Sequence, residues 1–221
     1  FSVDVKNADE LANALKVGGK VKIVGDIQLS NPVEVPADVT VVMELNGYTI
    51  TSENSNVIKN YGTLTITNGV LDATTAYTVN NAGGNVTIKN VKSVDAGFYN
   101  AGTMLVEDCE ITNTISGRHG LYNNANATLV INGLVCSTTS QNAIIYNNNG
   151  KVTVNDGAFT QIGSSYMLDG SNITINGGTF TDDDGTWAIR GNGHTINGGT
   201  FNFNPNNYVA PGYQVTDNGN G

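Results

Sequence analysis

"ITINGGTF" at residues 173–180 returns as "HTINGGTF" at 194–201, so almost the same eight letters stand 21 residues apart. In each copy, β-branched residues alternate with polar ones up to a glycine pair, and an aromatic residue follows. Alternation of this kind belongs to a strand whose successive side chains point to opposite sides, and the glycines mark a bend. "LTITNGVL" (64–71) and "VTVNDGAF" (152–159) share the layout.

Working outward, the second apolar residue of each short strand gives the series Ile23, Leu45, Ile66, Ile88, Val106, Ile131, Val154, Ile175 and Ile196. The steps are 22, 21, 22, 18, 25, 23, 21 and 21 residues. A period of this size signals a solenoid, in which one unit cannot bury its apolar face until the next stacks on it. Leucine-rich repeats need several Leu per unit and a fixed corner Asn or Cys; the β-branched alternation here favours a parallel β-helix instead. Leu64 and Ile66 are then expected to point inward, Thr65 outward, and Leu71 or Phe180 inward again after the bend. Gly69, Gly157, Gly178 and Gly199 are expected at that bend with positive φ.

A second motif recurs between these strands: "VIKNYG", "TVNNAG", "FYNAG", "LYNNA" and "IIYNNNG". With coils about 4.8 Å apart, Asn60, Asn81, Asn100, Asn123 and Asn147 form a column whose amides bond along the stack, a structural ladder rather than a ligand site. Asp169 and Arg190 are expected to end this series. Nine coils make a rod roughly 40 Å long.

The ends read differently. "VDVKNADELANALKVGGK" (3–20) gives a short strand, then a helix with Asn7 as N-cap, Glu10 three residues on, an apolar face of Leu11, Ala14 and Leu15, and a stop at Gly18. It is expected to plug the N-terminal opening of the stack, where a bare edge invites aggregation. After about residue 203, Pro205 and Pro211 break the period. The organisation is therefore residues 1–20 as strand and capping helix, 21–203 as β-helix, and 204–221 as C-terminal cap or tail.

Composition limits the function. Net charge is −9 with only 13% charged residues and ten scattered Lys and Arg. Nucleic-acid binding, which needs concentrated cations, is therefore not expected. No apolar run approaches the roughly 18 residues that span a bilayer, and no membrane insertion is expected. The chain opens on Phe1 rather than Met, and no export route is inferred from that end. Cys109 and Cys136 have no metal-ligand spacing and are expected as small buried apolar residues.

Chemistry-bearing residues are few. Tyr99, Tyr122 and Tyr146 hold one phase in three successive coils, continued on this count by Leu168 and Ile189. Either this column or its neighbour, Phe98, Leu121 and Ile145, must face outward, and an outward tyrosine column could stack on sugar rings or pack against a subunit. The longest step contains "NTISGRHG" (113–120), whose Arg118 and His119 are candidates for a loop that carries binding groups. "TDDDGTW" supplies Asp182, Asp183 and Asp184, a weak calcium candidate that has no second acidic floor. The column Thr65, Thr87, Thr153, Thr174 and Thr195 raises ice binding, but its neighbour lacks a matching Thr array. β-Propensity explains it more simply.

The stretch "ADELANALKVGGKVKIVGDIQLSNPVEVPADVTVVMELNGYTI" and the later "NGG" coils resemble right-handed, single-stranded parallel β-helix proteins of the pectate-lyase-like superfamily. The likeness is greatest to the non-enzymatic versions among bacteriophage head-fibre and capsid-decoration proteins and bacterial surface proteins. It implies a non-catalytic attachment protein of a virion surface, or otherwise an extracellular location. The expected partners are capsid or tail proteins, host surface glycans and further copies of the chain, a trimer among the arrangements. A bacterial adhesin or glycan-binding module is the alternative, and a polysaccharide lyase or hydrolase the second. The enzymes of the superfamily use stacked carboxylates with an Arg or Lys base, or paired carboxylates with a Gly-His-Gly element. "RGNGHT" departs from the latter in order and spacing, so no catalytic residues and no cofactor are expected.

Overall fold

The computed structural model describes residues 2–184 and 188–219. The chain winds as an all-β parallel solenoid of about nine turns with one N-terminal helix, Ala8–Val17. Strands such as Thr63–Ala73, Asn85–Asp95, Thr103–Asn113, Thr128–Thr138 and Lys151–Gln161 each pair in parallel with the equivalent strand of the next turn. Three-residue strands, from Val33–Val35 to Leu168–Gly170, build a second sheet of seven strands. Each long strand bends midway, so a turn has three walls around one interior.

The interior is made by matching rows. Ile66, Ile88, Val106, Ile131, Val154, Ile175 and Ile196 lie in register and are buried, as expected. The first two markers are corrected by two residues: Met43 pairs with Ile66 and Val21 with Met43. In "TVVMEL", Val41, Met43 and Leu45 are all fully buried, and three inward residues in alternation leave the phase ambiguous by one pleat. Past the bend, Leu71, Ser93, Ile111, Cys136, Phe159, Phe180 and Phe201 form another row. Phe159, Phe180 and Phe201 stack with centroids 4.9 Å apart at each step. Cys109 and Cys136 are buried free thiols.

Positive φ at the bend falls on Asn68, Asn90 and Asp108 in the earlier turns and on Gly133, Gly157, Gly178 and Gly199 in the later ones. Gly69 is not among them, contrary to expectation. It is needed for space, since a Cβ there would stand 2.3 Å from Leu45 Cβ.

The asparagine ladder is present. Nδ2 of Asn60, Asn81, Asn100 and Asn123 donates in turn to Oδ1 of Asn81, Asn100, Asn123 and Asn147, at 2.7–2.8 Å, and all five residues are fully buried. The next residue in register is Gly170, not Asp169.

Asn7 caps the helix by accepting from Glu10 N at 2.9 Å, and Glu10 accepts from Lys6 N at 2.9 Å. Leu11 and Leu15 seal the N-terminal end of the core, and Gly18 ends the helix at φ 85°. At the opposite end, Val209 bridges to Ile196 and Tyr208 packs on the core, with Pro205 buried beneath. Residues 211–219 are exposed.

Candidate functional site

The seven-stranded wall presents one outward column: Glu34, Lys59, Asn80, Tyr99, Tyr122, Tyr146 and Asp169. Phe98, Leu121 and Ile145 are fully buried and the three tyrosines half-buried, which settles that the tyrosines face out. The phase expected beyond them is corrected by one residue. Leu168 continues the inward row and pairs with Ile189, so Asp169 and Arg190 follow the tyrosines. The asparagine motif that fixes the count in earlier turns is absent from "MLDGSN", and the loop before it holds no marker of phase.

Tyr99 and Tyr122 stack at 5.0 Å with 26° between planes, and Tyr122 and Tyr146 lie 5.0 Å apart at 54°. Since 5.0 Å is close to one coil spacing, Tyr99 and Tyr122 turn their faces to each other and their edges to solvent. Asn124 Nδ2 donates to Tyr99 Oη at 2.9 Å. Burial, with Tyr146 and Tyr99 alongside, raises the Tyr122 phenol.

The 113–120 loop folds against this column. Arg118 lies over the Tyr77 ring at 5.6 Å, and His119 N donates to Tyr77 Oη at 3.3 Å. The His119 ring stacks on Tyr146 at 4.7 Å and 17°, and meets Tyr122 edge-on at 5.6 Å. Tyr77 in turn contacts Tyr99 at 5.7 Å. The five residues singled out for binding, Tyr99, Tyr122, Tyr146, Arg118 and His119, thus belong to one cluster, and its organising member Tyr77 was not among them. A signal for it exists. Tyr77, His119 and Tyr166 each stand two residues before the inward residues Val79, Leu121 and Leu168, while the alternate turns carry small Ala96 and Ala143. Large and small residues alternate so that each ring has room. Burial pushes the Tyr77 phenol up to about 12.

Beside the cluster, loops of successive turns enclose a recess of about 310 Å³, lined among others by His119, Asn142, Ser165, Tyr166, Asp169 and Arg190. Arg190 Nε donates to Asp169 Oδ1 at 2.8 Å and Nη2 to Oδ2, a two-pronged pair. Asp169 is buried and also accepts from Gly170 N at 2.8 Å, whereas the arginine side chain is 58% exposed and lies 4.2 Å over the Tyr166 ring. The carboxylate raises the Arg190 pKa. His119 Nδ1 faces Ala143 O at 3.2 Å and Nε2 faces Asn142 Nδ2 at 3.3 Å. A carbonyl only accepts, so Nδ1 carries the proton and Nε2 accepts from the amide. Burial lowers this imidazole to about 4, so it is neutral near pH 7.

The remaining candidates lie elsewhere. Asp182 points inward, in register with Gln161, while Asp183 and Asp184 are exposed beyond it, so the three carboxylates do not converge. Among the described residues no group of three or more His, Cys, Asp or Glu is placed to hold a metal ion. Gly185 to Trp187 of the same motif lie outside the described residues. The threonine column is real but broken: Leu105 and Val130 stand between Thr87 and Thr153. Beside it, Asn132, Asn155, Asn176 and Asn197 form an exposed amide ladder with bonds of 2.7–2.8 Å. His194 is buried, with Nε2 3.0 Å from Arg190 O and Nδ1 accepting from Ile173 N at 3.3 Å. No helix among the described residues is long and apolar enough to cross a membrane.

Comparison of the chain with protein-family models, with curated proteins and with solved structures finds no match.

Proposed function

We propose that this chain is a non-catalytic attachment module of a bacteriophage virion surface, a capsid decoration or fibre element that holds host glycans. One observation supports it above others: backbone ladders bond each turn to the next, and a buried amide column ties the five turns from Asn60 to Asn147, the construction of a stiff rod. The polar recess on its side supports attachment rather than turnover. Among the described residues that line it Asp169 is the one carboxylate, and both its oxygens are occupied by Arg190. A glycosidase needs a second carboxyl across the scissile bond. The virion placement rests on the resemblance of the N-terminal region to phage head-fibre and decoration proteins.

The test has two arms. Incubation with acidic and neutral polysaccharides is expected to give neither new reducing ends nor unsaturated products, while a glycan array is expected to retain the protein. Steady product formation would overturn the non-catalytic reading. The gene is expected beside capsid and portal genes, and a locus among cell-envelope genes would favour an adhesin instead.

A further inference from the structure

We propose that the recess between His119 and Arg190 is a binding site for one or two rings of a neutral saccharide. The inference rests on the attachment reading above and assigns it a place and a ligand class.

The recess is built rather than incidental. His119 comes from the 113–120 loop, Asn142 from the loop before Ile145–Asn147, Ser165 and Tyr166 from the loop before Leu168–Gly170, and Arg190 from the turn after. The register of the short strands sets these loops side by side, so the site spans several floors. Its volume of about 310 Å³ is at the lower end of ligand pockets.

The chemistry selects against charge. Arg190 is the cation of the site and the buried Asp169 offsets it through two hydrogen bonds. The partners of His119 fix the neutral tautomer. A net charge of −9 repels polyanions at long range. The recess is thus polar without net charge, and mixes an amide, hydroxyls and a carboxylate-backed guanidinium. Vicinal hydroxyls, which donate and accept at adjacent atoms, match that mixture; a carboxylate or sulfate accepts only and would meet the Asp169 field. The Asp169 bonds and the Tyr166 ring hold the guanidinium in place before a ligand arrives.

The experiment is saturation-transfer NMR and titration of the whole chain. The neutral probes are galactose, glucose, mannose, N-acetylglucosamine and their disaccharides; the acidic ones are galacturonate and N-acetylneuraminate. The same measurements are made on Asn142→Ala and Arg190→Lys, with thermal unfolding as a fold control, and the glycan array is run on all three proteins. At least one neutral probe is expected to bind, at least tenfold more weakly in both variants, with Asn142→Ala still unfolding in a single cooperative transition. Binding of the acidic sugars alone overturns the ligand class. Neutral binding or array retention that both variants leave unchanged overturns the location while the attachment reading stands. An array that retains no glycan, with no probe bound in solution, overturns both.

Discussion

Asn100 Nδ2 donates to Asn123 Oδ1 at 2.7 Å, one floor further along the solenoid, while Asn100 Oδ1 accepts from Asn81 Nδ2 at 2.8 Å. The same amide donates to Thr128 O at 2.9 Å. Every bond in the column runs in one direction, so the amide dipoles align head to tail along the rod and each is polarised by its neighbours.

Removing an interior member therefore strands groups on both sides. Asn100→Ala removes the acceptor of Asn81 Nδ2 and Gly102 N and the donor to Asn123 Oδ1 and Thr128 O, in a fully buried place. At about 1–3 kcal/mol for an unsatisfied buried group, partly relieved by relaxation, the loss is expected to be about 3 kcal/mol. Asn60→Ala should cost about half that, because Asn60 begins the column and its Oδ1 has no hydrogen-bond partner among the described residues. Urea unfolding of both variants measures the difference, and equal losses would show that the column does not act as a chain.

Gly69 and Gly25 make a second contrast. At Gly69 an added Cβ would meet Leu45 Cβ at 2.3 Å and Tyr48 O at 2.8 Å, and the neighbour is core and backbone. Gly69→Ala is expected to destabilise by about 1–3 kcal/mol or more through overpacking. Gly25 has nothing within 4 Å of such a Cβ and no left-handed φ. Gly25→Ala is expected to be neutral or to stabilise by about 0.4–1 kcal/mol through the unfolded chain. Thermal unfolding of the pair distinguishes them.

These contrasts bear on what the sequence made legible. The solenoid, its inward row from Ile66 onward and the ladder follow from local periodicity, because each turn repeats the same solution to the same packing problem; the capping helix follows instead from its own N-cap and apolar face. The site did not follow as directly. Tyr99, Tyr122 and Tyr146 were visible as a column, yet which side they face depends on whether Phe98 and its neighbours fill the core, and both columns are apolar. Periodicity alone puts Asp169 and Arg190 one residue out of phase, since a strand shifted by one exchanges its two faces. The contact between His119 and Tyr77 joins residues 42 apart through loops of unequal length, and periodicity carries no information about such loops.

The aromatic row in the core supplies a third test. Phe180 lies between Phe159 and Phe201, with centroids 4.9 Å away on each side and planes within 8° of parallel. Phe180→Ala removes both contacts and leaves a cavity the backbone ladders cannot close, at a cost of about 3–5 kcal/mol. Phe201→Ala should cost less, because Phe201 is only partly buried at the end of the stack. Denaturant midpoints that rank the two in the opposite order would mean the C-terminal turn carries more of the stability than its burial suggests.

The pH dependence of stability follows from the histidines. His119 is held near 4 by burial, against about 6.5 in an unfolded chain, with Asp169 opposing that shift and Arg190 adding to it. Burial lowers His194 in the same sense. Below pH 6.5 the unfolded chain takes up a proton that folded His119 refuses until about pH 4. The stabilisation is therefore complete above 6.5 and declines as the pH falls towards 4, by about 3 kcal/mol for this one group. Urea midpoints in that window are expected to fall with acidity in the wild type and to fall less in His119→Gln. That variant keeps a polar side chain beside Asn142 and cannot titrate. An identical slope in the two proteins would mean that protonated His119 is accommodated in the fold, and that the neutral tautomer between Ala143 and Asn142 is not what holds the loop against Tyr146.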